Sequence, residues 1–206
     1  MTQPSPSSDI FISYRRHEAS GFAGRLYDNL ANTFRVGRIF MDVGSIEPGL
    51  NFRNAMMRGV DRSAVLLVII GPHWLDLTDE NGDRRLDNGD DPVRVEIETA
   101  IARNIVVIPV LMDGTPMPDR RMLPTTIQEL AQRHAIRLRH DSFSSDIGRL
   151  LEVLSRHVNP GPPSSTPDRR RITKPLVVTL AVVAVLAISG VWRTSVSIDR
   201  NFGAGG

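Results

Sequence analysis

The chain has 206 residues, enough for one sizeable core and an appendage, and its 25 basic and 23 acidic residues give a formal net charge of +2. Residues 161–206 hold six basic and two acidic residues, so residues 1–160 carry a net charge of −2, which argues against nucleic-acid binding by that part. The absence of Cys excludes a disulfide framework, a thiolate metal site and a cysteine nucleophile. Because the His residues also lack metal-ligand spacing, we expect no metal site.

Residues 1–8 are rich in Pro and Ser and lack the basic and apolar regions of a signal peptide, so we interpret them as a disordered leader. The unbroken apolar run at residues 10–12 is typical of a strand that is buried on both faces. Since ligands bind at the carboxyl ends of strands in open α/β sheets, the polar side chains after this run are candidate ligand contacts. They are Ser13, Tyr14, Arg15 and Arg16.

Helical and strand patterns alternate along the chain that follows. Further strands are predicted over residues 38–42, 64–70, 105–112 and 135–138, and helices over residues 19–34, 51–61, 92–103, 127–133 and 144–157. Pro109 lies inside the fourth predicted strand and removes one ladder hydrogen bond there. The alternation favours parallel βαβ units. We therefore predict an α/β fold, a flavodoxin-like five-stranded parallel sheet with helices on both faces.

An acidic connection precedes the third helix. Residues 76–91 contain seven acidic residues and two Arg. The last of them, Asp91, suits the N-cap of the helix, and Pro92 suits its first position. The predicted buried stripe of this helix consists of Val93, Ile97, Ala100 and Ile101. Helical geometry places Glu96 at the edge of the stripe, against the sheet, and turns Glu98 towards solvent. The pattern alone leaves two interpretations of Glu96, a half-buried surface carboxylate or a functional group.

The last part of the chain has the composition of a membrane anchor. Residues 159–174 form a linker rich in Pro, Ser and Arg, and residues 175–192 are apolar, with about 25 Å of helix over the last 17 of them. Basic residues before the segment and Trp192 at its end favour one transmembrane helix over a buried core helix. We then expect a single-pass protein of the cell inner membrane, with its N-terminal domain cytoplasmic and a short non-cytoplasmic tail at residues 193–206. The chain could also be the front piece of a longer protein.

Five segments of the chain resemble Toll/interleukin-1 receptor (TIR) domains and follow the order of that family. They are DIFISYRR at residues 9–16, FMD at 40–42, IEPG at 46–49, VEIETAI at 95–101 and NIVVIPVLMDG at 104–114. On this resemblance, residues 9–158 are identified as a TIR domain of bacterial type, similar to the subgroup that cleaves NAD+. The resemblance implies that NAD+ is the substrate, that no separate cofactor is needed, and that other TIR domains are partners.

The resemblance also assigns roles to individual residues. It places the essential catalytic carboxylate on Glu96. It implies that the substrate-binding residues are Ser13, Tyr14, Arg15, Arg16, Asp42, Ser45 and Trp74. The segment Ile46, Glu47, Pro48 and Gly49 corresponds to a loop that gates the site and joins neighbouring subunits.

One position departs from the NAD-cleaving pattern. Relatives that cleave NAD+ often have an aromatic residue four positions before the Glu, and this chain has Pro92 there. Three functions are therefore expected in decreasing order of preference. The first is an NAD+ hydrolase in defence or signalling that is activated by self-association, the second a non-catalytic TIR scaffold, and the third a cyclase that makes a cyclic ADP-ribose signal.

Overall fold

A computed structural model of the chain describes residues 9–41 and 59–160. The strands are β1 (Asp9–Ser13), β2 (Ile39–Met41), β3 (Ser63–Ile70), β4 (Val106–Met112) and β5 (Ile136–Leu138), and the α-helices are α1 (Arg16–Ala31), α2 (Pro92–Ala102) and α3 (Phe143–Leu154). The predicted leader, the loop after β2 and the apolar C-terminal segment lie outside the described residues. Among the residues that are described, no helix combines the length and apolarity that a membrane span requires.

The five strands form one parallel sheet in the order β2-β1-β3-β4-β5. This confirms the predicted sheet, and the order is that of a flavodoxin-like fold. The strand β3 lies in the middle, and Ser13 at the end of β1 is in register with Val68 of β3. The carboxyl ends of β1 and β3 are therefore neighbours, so the segments that leave them meet at one edge of the sheet.

Helices cover both faces of the sheet because successive residues of a strand point to opposite sides. Ile10 and Ile12 of β1 are buried in a core that includes residues of α1 and α3, such as Leu30 and Leu150. Phe11, between them in sequence, is buried in a second core with residues of α2. The unbroken apolar run that predicted a doubly buried strand is thus explained by two separate cores.

The helices differ from the prediction in their ends or in their type. The helix α1 begins at Arg16, three residues earlier than expected, with the extended Arg15 as its N-cap, and it ends at Ala31, before the expected residue 34. The helix predicted over residues 127–133 is a 3₁₀ helix at Thr125–Gln132. Its buried side chains, Ile127 and Leu130, are three residues apart, which matches the 3₁₀ period. The last helix, α3, ends at Leu154, before the expected residue 157.

Pro109 lies in a part of β4 that pairs with β3 but not with β5. Its register partner in β3 is Val68, whereas the pairing of β4 with the short strand β5 begins only at Val110. Pro109 therefore has a strand neighbour on one side, a position similar to the edge strands that tolerate proline.

Candidate functional site

The candidate site begins where β1 ends. Ser13 and Arg15 are almost completely buried, with 1% and 3% of their surfaces exposed. Tyr14 is half-buried against the core that contains α1 and α3. Arg16 is exposed and starts α1. Ser13 and Arg15 are thus the inner residues of the four, Tyr14 is intermediate, and Arg16 is an exposed cation.

A buried ion pair connects the end of β1 to the start of α2. The Arg15 Nη1 atom donates to Asp91 Oδ2 at 2.5 Å, and the two side chains are 2% and 1% exposed. The Oδ1 atom of the same carboxylate accepts a hydrogen bond from the backbone N–H of Arg94 at 3.0 Å. Asp91 is therefore the N-cap of α2, with Pro92 in the first turn, as predicted. One carboxylate fixes both the start of α2 and its attachment to β1.

The helix α2 holds Glu96 in a buried position. Glu96 lies in the second turn and is 7% exposed. The helix packs on β3 and β4, and Val93 and Ile97 on the same side are buried in the core. Glu96 is thus more deeply buried than a half-buried surface carboxylate, the first interpretation of this residue. Its contact with the edge of the sheet and its functional role stay predictions.

Glu98 differs from its expected position. The sequence predicts a solvent-facing carboxylate, but the Glu98 side chain is 26% exposed and forms an ion pair with Arg94 at 2.7 Å. Its Oε1 atom also accepts a hydrogen bond from Thr126 Oγ1 at 2.5 Å. The helical pattern could not show the contact with Thr126, because Thr126 lies on the 3₁₀ helix after β4. Glu98 thus attaches α2 to that helix.

Trp74 lies wholly within the core that contains α2. None of its surface is exposed, and it belongs to the same buried cluster as Phe11, Val93 and Ile97. Its backbone N–H donates to the Gly71 carbonyl at 3.1 Å, in the turn after β3. The structure places the indole as support for α2, and its expected contact with a substrate remains a prediction.

Glu18 is a further residue of this edge that the sequence interpretation missed. Its Oε1 atom accepts a hydrogen bond from the backbone N–H of His73 at 2.5 Å, which ties α1 to the segment after β3. A Cβ atom at Gly71 would lie 2.6 Å from the same oxygen, so a side chain there would displace the carboxylate. The available sequence signal was an acidic residue in the first turn of a helix together with Gly-Pro at the end of a strand.

Several buried polar atoms at this edge have no hydrogen-bond partner. They are Ser13 Oγ, Arg15 Nε, Arg15 Nη2, Glu18 Oε2 and Trp74 Nε1. All of them lie at the carboxyl end of β1 or in the segments that follow β1 and β3. Since buried polar groups are ordinarily satisfied by protein, water or ligand, this edge has hydrogen-bonding capacity beyond what its own side chains use. That capacity fits a site for a polar ligand.

The remaining predicted site residues lie outside the described part of the chain. They are Asp42 and Ser45, predicted to bind substrate, and Ile46, Glu47, Pro48 and Gly49, predicted to join subunits. Their roles stay predictions. Within residues 9–41 and 59–160, no group of His, Asp and Glu side chains has the arrangement of a metal site.

Comparison with protein families and curated proteins extends these observations. The profile of the TIR domain family matches residues 10–151. The NAD(+) hydrolase sarm1 of Drosophila melanogaster is 26% identical over 170 residues, which cover 79% of this chain and 12% of that protein. The chain thus corresponds to a small part of that relative.

Solved structures show the same fold at low sequence identity. The TIR domains of the activated Roq1 resistosome, which recognises the pathogen effector XopQ, align with a TM-score of 0.50 and 16% identity over 73% of this chain and 98% of theirs. A metazoan TIR-STING receptor from C. gigas, solved in complex with 2′,3′-cGAMP, aligns with a TM-score of 0.50 and 16% identity over 78% of this chain and 43% of its own. Because the family profile spans most of the chain and the strand order agrees with the fold, this chain belongs to the TIR domain family.

Proposed function

We propose that this chain is an NAD+ hydrolase that cleaves the bond between nicotinamide and ribose, with Glu96 as the catalytic carboxylate. The similarity to NAD(+) hydrolase sarm1 supports the substrate. The observation that carries the proposal is the burial of Glu96 on a helix whose N-cap is ion-paired to Arg15. A carboxylate in such a fixed and desolvated position can act on a developing positive charge more strongly than one in water.

The chemistry needs few groups. Nicotinamide leaves the positively charged pyridinium with the electron pair of the broken bond and becomes neutral, so no general acid is required. The ribose develops oxocarbenium character, which the negative charge of Glu96 stabilises. Water adds to the ribose carbon and loses a proton, so the products are ADP-ribose, nicotinamide and one proton. Removing the charge of Glu96 should therefore affect the chemical step.

We propose different roles for the two arginines at the end of β1. The guanidinium of Arg15 is buried and bonded to Asp91, so it acts as a positioning residue that fixes the start of α2. Arg16 is exposed at the start of α1, where the helix N-terminus also favours anions, and it is the candidate for holding the pyrophosphate. Ser13 and Tyr14 complete the proposed substrate contacts on β1, and Asp42, Ser45 and Trp74 stay in the proposed set.

The proposed activity depends on clustering of TIR domains. We infer that self-association through residues 46–49 activates the site, and that the apolar segment at 175–192 anchors the chain in a bacterial inner membrane with the TIR domain in the cytoplasm. This arrangement would serve defence or signalling. The support for the anchor is the composition of the segment and its basic flank.

The test compares two glutamates of the same helix. The full chain is clustered artificially through an added tag, and nicotinamide release from NAD+ is measured for wild type, Glu96→Gln and Glu98→Gln. We expect Glu96→Gln to lower the rate by at least about 100-fold, because removing one group that stabilises the transition state typically has an effect of this size. We expect Glu98→Gln to retain most of the activity.

The control matters because Glu98 is also partly buried and on α2, two residues away. Equal losses in the two variants would indicate a general disturbance of the helix. Equal thermal unfolding temperatures of Glu96→Gln and wild type are needed to assign the loss to chemistry. If clustered wild type and Glu96→Gln are equally inactive, the hydrolase proposal is wrong.

A non-catalytic TIR scaffold is the second candidate. It is favoured by Pro92, which stands in place of an aromatic residue, and by Trp74, whose ring is wholly buried. On this alternative the clustered protein leaves NAD+ intact. The third candidate, a cyclase, consumes NAD+ at the same bond but yields cyclic ADP-ribose, so chromatographic separation of the products distinguishes it from the hydrolase.

A further inference from the structure

The start of α2 brings two arginines to one carboxylate oxygen. The Asp91 Oδ2 atom accepts a hydrogen bond from Arg15 Nη1 at 2.5 Å and lies 3.4 Å from Arg85 Nε. Arg85 begins a short 3₁₀ helix, Arg85–Asp87, in the connection between β3 and α2. The two guanidinium groups therefore reach the same corner of the molecule from different elements, one from the end of β1 and one from this connection.

The two arginines differ in how completely Asp91 engages them. Arg15 is buried, with 2% of its side chain exposed, and its ion pair has the length of a hydrogen bond. The Arg85 side chain is 32% exposed, and its distance of 3.4 Å is too long for a good hydrogen bond. Among the described residues, Arg85 forms no other ion pair. One carboxylate thus stands against two guanidinium groups, and the donors of Arg85 remain available.

The nearby acidic side chains are engaged by other arginines. The Asp87 Oδ2 atom accepts a hydrogen bond from Arg84 Nε at 2.8 Å. Glu98 is paired with Arg94 at 2.7 Å. In the described part of the chain, neither carboxylate forms an ion pair with the second guanidinium at Asp91. The start of α2 therefore keeps a surplus positive charge.

The backbone fixes the position of this surplus charge. The Arg85 N–H group donates to the Leu77 carbonyl at 2.9 Å. The next residue, Leu86, is wholly buried in the core that contains α2, and its carbonyl accepts from Arg94 Nη1 at 3.2 Å. A cation whose backbone is held in place before a ligand arrives loses less conformational freedom on binding. Arg85 is thus preorganised beside the helix.

Arg15 gives a second indication of a ligand at this corner. Its Nε and Nη2 atoms are buried and have no hydrogen-bond partner within residues 9–41 and 59–160. Buried donors are ordinarily satisfied, and a guanidinium matches the geometry of phosphate oxygens. The N-terminus of α2 lies at the same place, and its N–H groups and dipole also favour anions. Surplus charge and unused donors together fit a phosphate group.

We propose that Arg85 binds one phosphate of the NAD+ pyrophosphate beside the start of α2. The proposal rests on the hydrolase function proposed above and adds a substrate-binding residue to it. The pyrophosphate diester carries two negative charges, so it suits two cations, Arg85 before α2 and Arg16 at the start of α1. Asp91 keeps Arg15 as its partner, and the phosphate uses the donors of Arg85 that Asp91 leaves free.

The first experiment compares two substrates that share the reacting bond. Nicotinamide release from NAD+ and from nicotinamide riboside, which has no phosphate, is measured with artificially clustered full chains of wild type and Arg85→Gln. For NAD+, we expect Arg85→Gln to raise KM by at least about tenfold and to change kcat by less than about twofold, because a contact remote from the reacting bond affects ground state and transition state equally. For the riboside, we expect kcat/KM to stay within about twofold of wild type. The ratio of the two substrates is measured in one protein, so a lower folded fraction of Arg85→Gln does not alter it.

Arg103→Gln, at the other end of α2, is the matched control. Arg103 is the C-cap of the helix and is paired with Asp61 at 3.2 Å, so this variant removes the same charge and a similar ion pair. It should cleave NAD+ with the KM of wild type. Equal increases of KM in Arg85→Gln and Arg103→Gln would show a net-charge effect and would overturn the proposal. Equal losses of kcat/KM on both substrates in Arg85→Gln would show that Arg85 only supports the helix, and would overturn it as well.

A calorimetric experiment separates this proposal from the hydrolase proposal. Binding of inorganic pyrophosphate is measured in clustered Glu96→Gln with and without Arg85→Gln, so that the result does not depend on turnover. We expect the double variant to bind pyrophosphate at least about tenfold more weakly, the usual effect of losing a charged hydrogen-bond partner. Absence of binding, or equal affinity of the two proteins, would overturn the role of Arg85. An inactive wild type together with pyrophosphate binding that depends on Arg85 would contradict the hydrolase and support the phosphate site.

Discussion

At the scale of single residues, the ion pair between Arg15 and Asp91 is the contact on which the candidate site most depends. Two charges that are nearly excluded from water stabilise each other, but either one alone would be a buried and unpaired charge. Asp91 also caps α2 and lies 3.4 Å from Arg85, so its carboxylate is shared by three groups. The geometry of the helix that holds Glu96 therefore depends on a residue five positions earlier.

We predict that Asp91→Ser destabilises the protein by about 3–5 kcal/mol, the usual effect of breaking a buried ion pair. Serine retains the ability to cap the helix, so the loss isolates the charge of Arg15. The double variant Arg15→Met with Asp91→Ser should recover part of the stability. Urea denaturation measures both, with Asp90→Ser on the exposed neighbouring residue as control. A loss below about 1 kcal/mol for Asp91→Ser would show that the pair contributes little.

The burial and capping roles of single residues were predictable only where they depend on neighbouring residues in the sequence. The cap at Asp91 and the burial of Glu96 follow from the Asp-Pro pair and from helical periodicity. The partner of Arg15 is 76 residues away, and the Thr126 partner of Glu98 is 28 residues away. Periodicity within one helix contains no information on such partners, so Glu98 was wrongly predicted to face solvent.

At the scale of elements, close contact between α1 and the end of β3 fixes the edge of the sheet. Glu18 in the first turn of α1 receives the backbone N–H of His73, and the carboxylate lies directly against Gly71. Any side chain at position 71 would compete with Glu18 for the same space. The two positions should therefore be energetically coupled.

We predict that Gly71→Ala costs about 1–3 kcal/mol in wild type, as insertion into a packed site usually does, and less in a Glu18→Ala background. The reason is that the added Cβ displaces the carboxylate only when the carboxylate is present. A double-mutant cycle by chemical denaturation measures the coupling. Gly89→Ala is the matched control, since no atom lies within 4 Å of its added Cβ. Equal costs of Gly71→Ala in the two backgrounds would refute the coupling.

A second prediction concerns the connection between β5 and α3. Hydrogen bonds from the Arg139 side chain and backbone, followed by one from Ser142, hold the pKa of Asp146 well below its ordinary value of 3.8. Because the folded-state pKa is lowered, the stabilisation is present above about pH 4 and is lost as the pH falls towards the folded-state pKa. Asp146→Asn should therefore lower the melting temperature at pH 7, and its difference from wild type should shrink between pH 4 and pH 2.

Thermal unfolding of the two proteins across this pH range tests the prediction, with Asp141→Asn, at an exposed residue five positions earlier, as control. A difference between wild type and Asp146→Asn that stays constant down to the lowest pH would contradict the proposed role of the ionised carboxylate.

Element types were mostly predictable, and element ends less so. The apolar runs of β1 and β3 have no other plausible place than the centre of a parallel sheet. The prediction did not distinguish a 3₁₀ helix from an α-helix at Thr125–Gln132, because an apolar spacing of three residues suits both. The early start of α1 was not predictable because its N-cap is Arg15, which makes no side-chain capping hydrogen bond.

At the scale of the whole molecule, the sheet order brings β1 and β3 together at its centre and thus gathers Arg15, Glu18 and Trp74 at one edge. Strand alternation along the chain predicted the parallel sheet, and the resemblance to TIR domains agreed with it, but the place of Glu18 at this edge was not predicted. The same order leaves β5 at the outside of the sheet, away from the edge where β1 and β3 end.

We propose that a clustered TIR domain cleaves NAD+ with the buried carboxylate of Glu96 on α2. The most direct test is the simultaneous quantification of NAD+, nicotinamide and ADP-ribose over time in artificially clustered wild type and Glu96→Gln of equal thermal stability. We expect equal amounts of nicotinamide and ADP-ribose from wild type and almost none of either from Glu96→Gln. Undiminished turnover in Glu96→Gln, or unchanged NAD+ in both proteins, would contradict it.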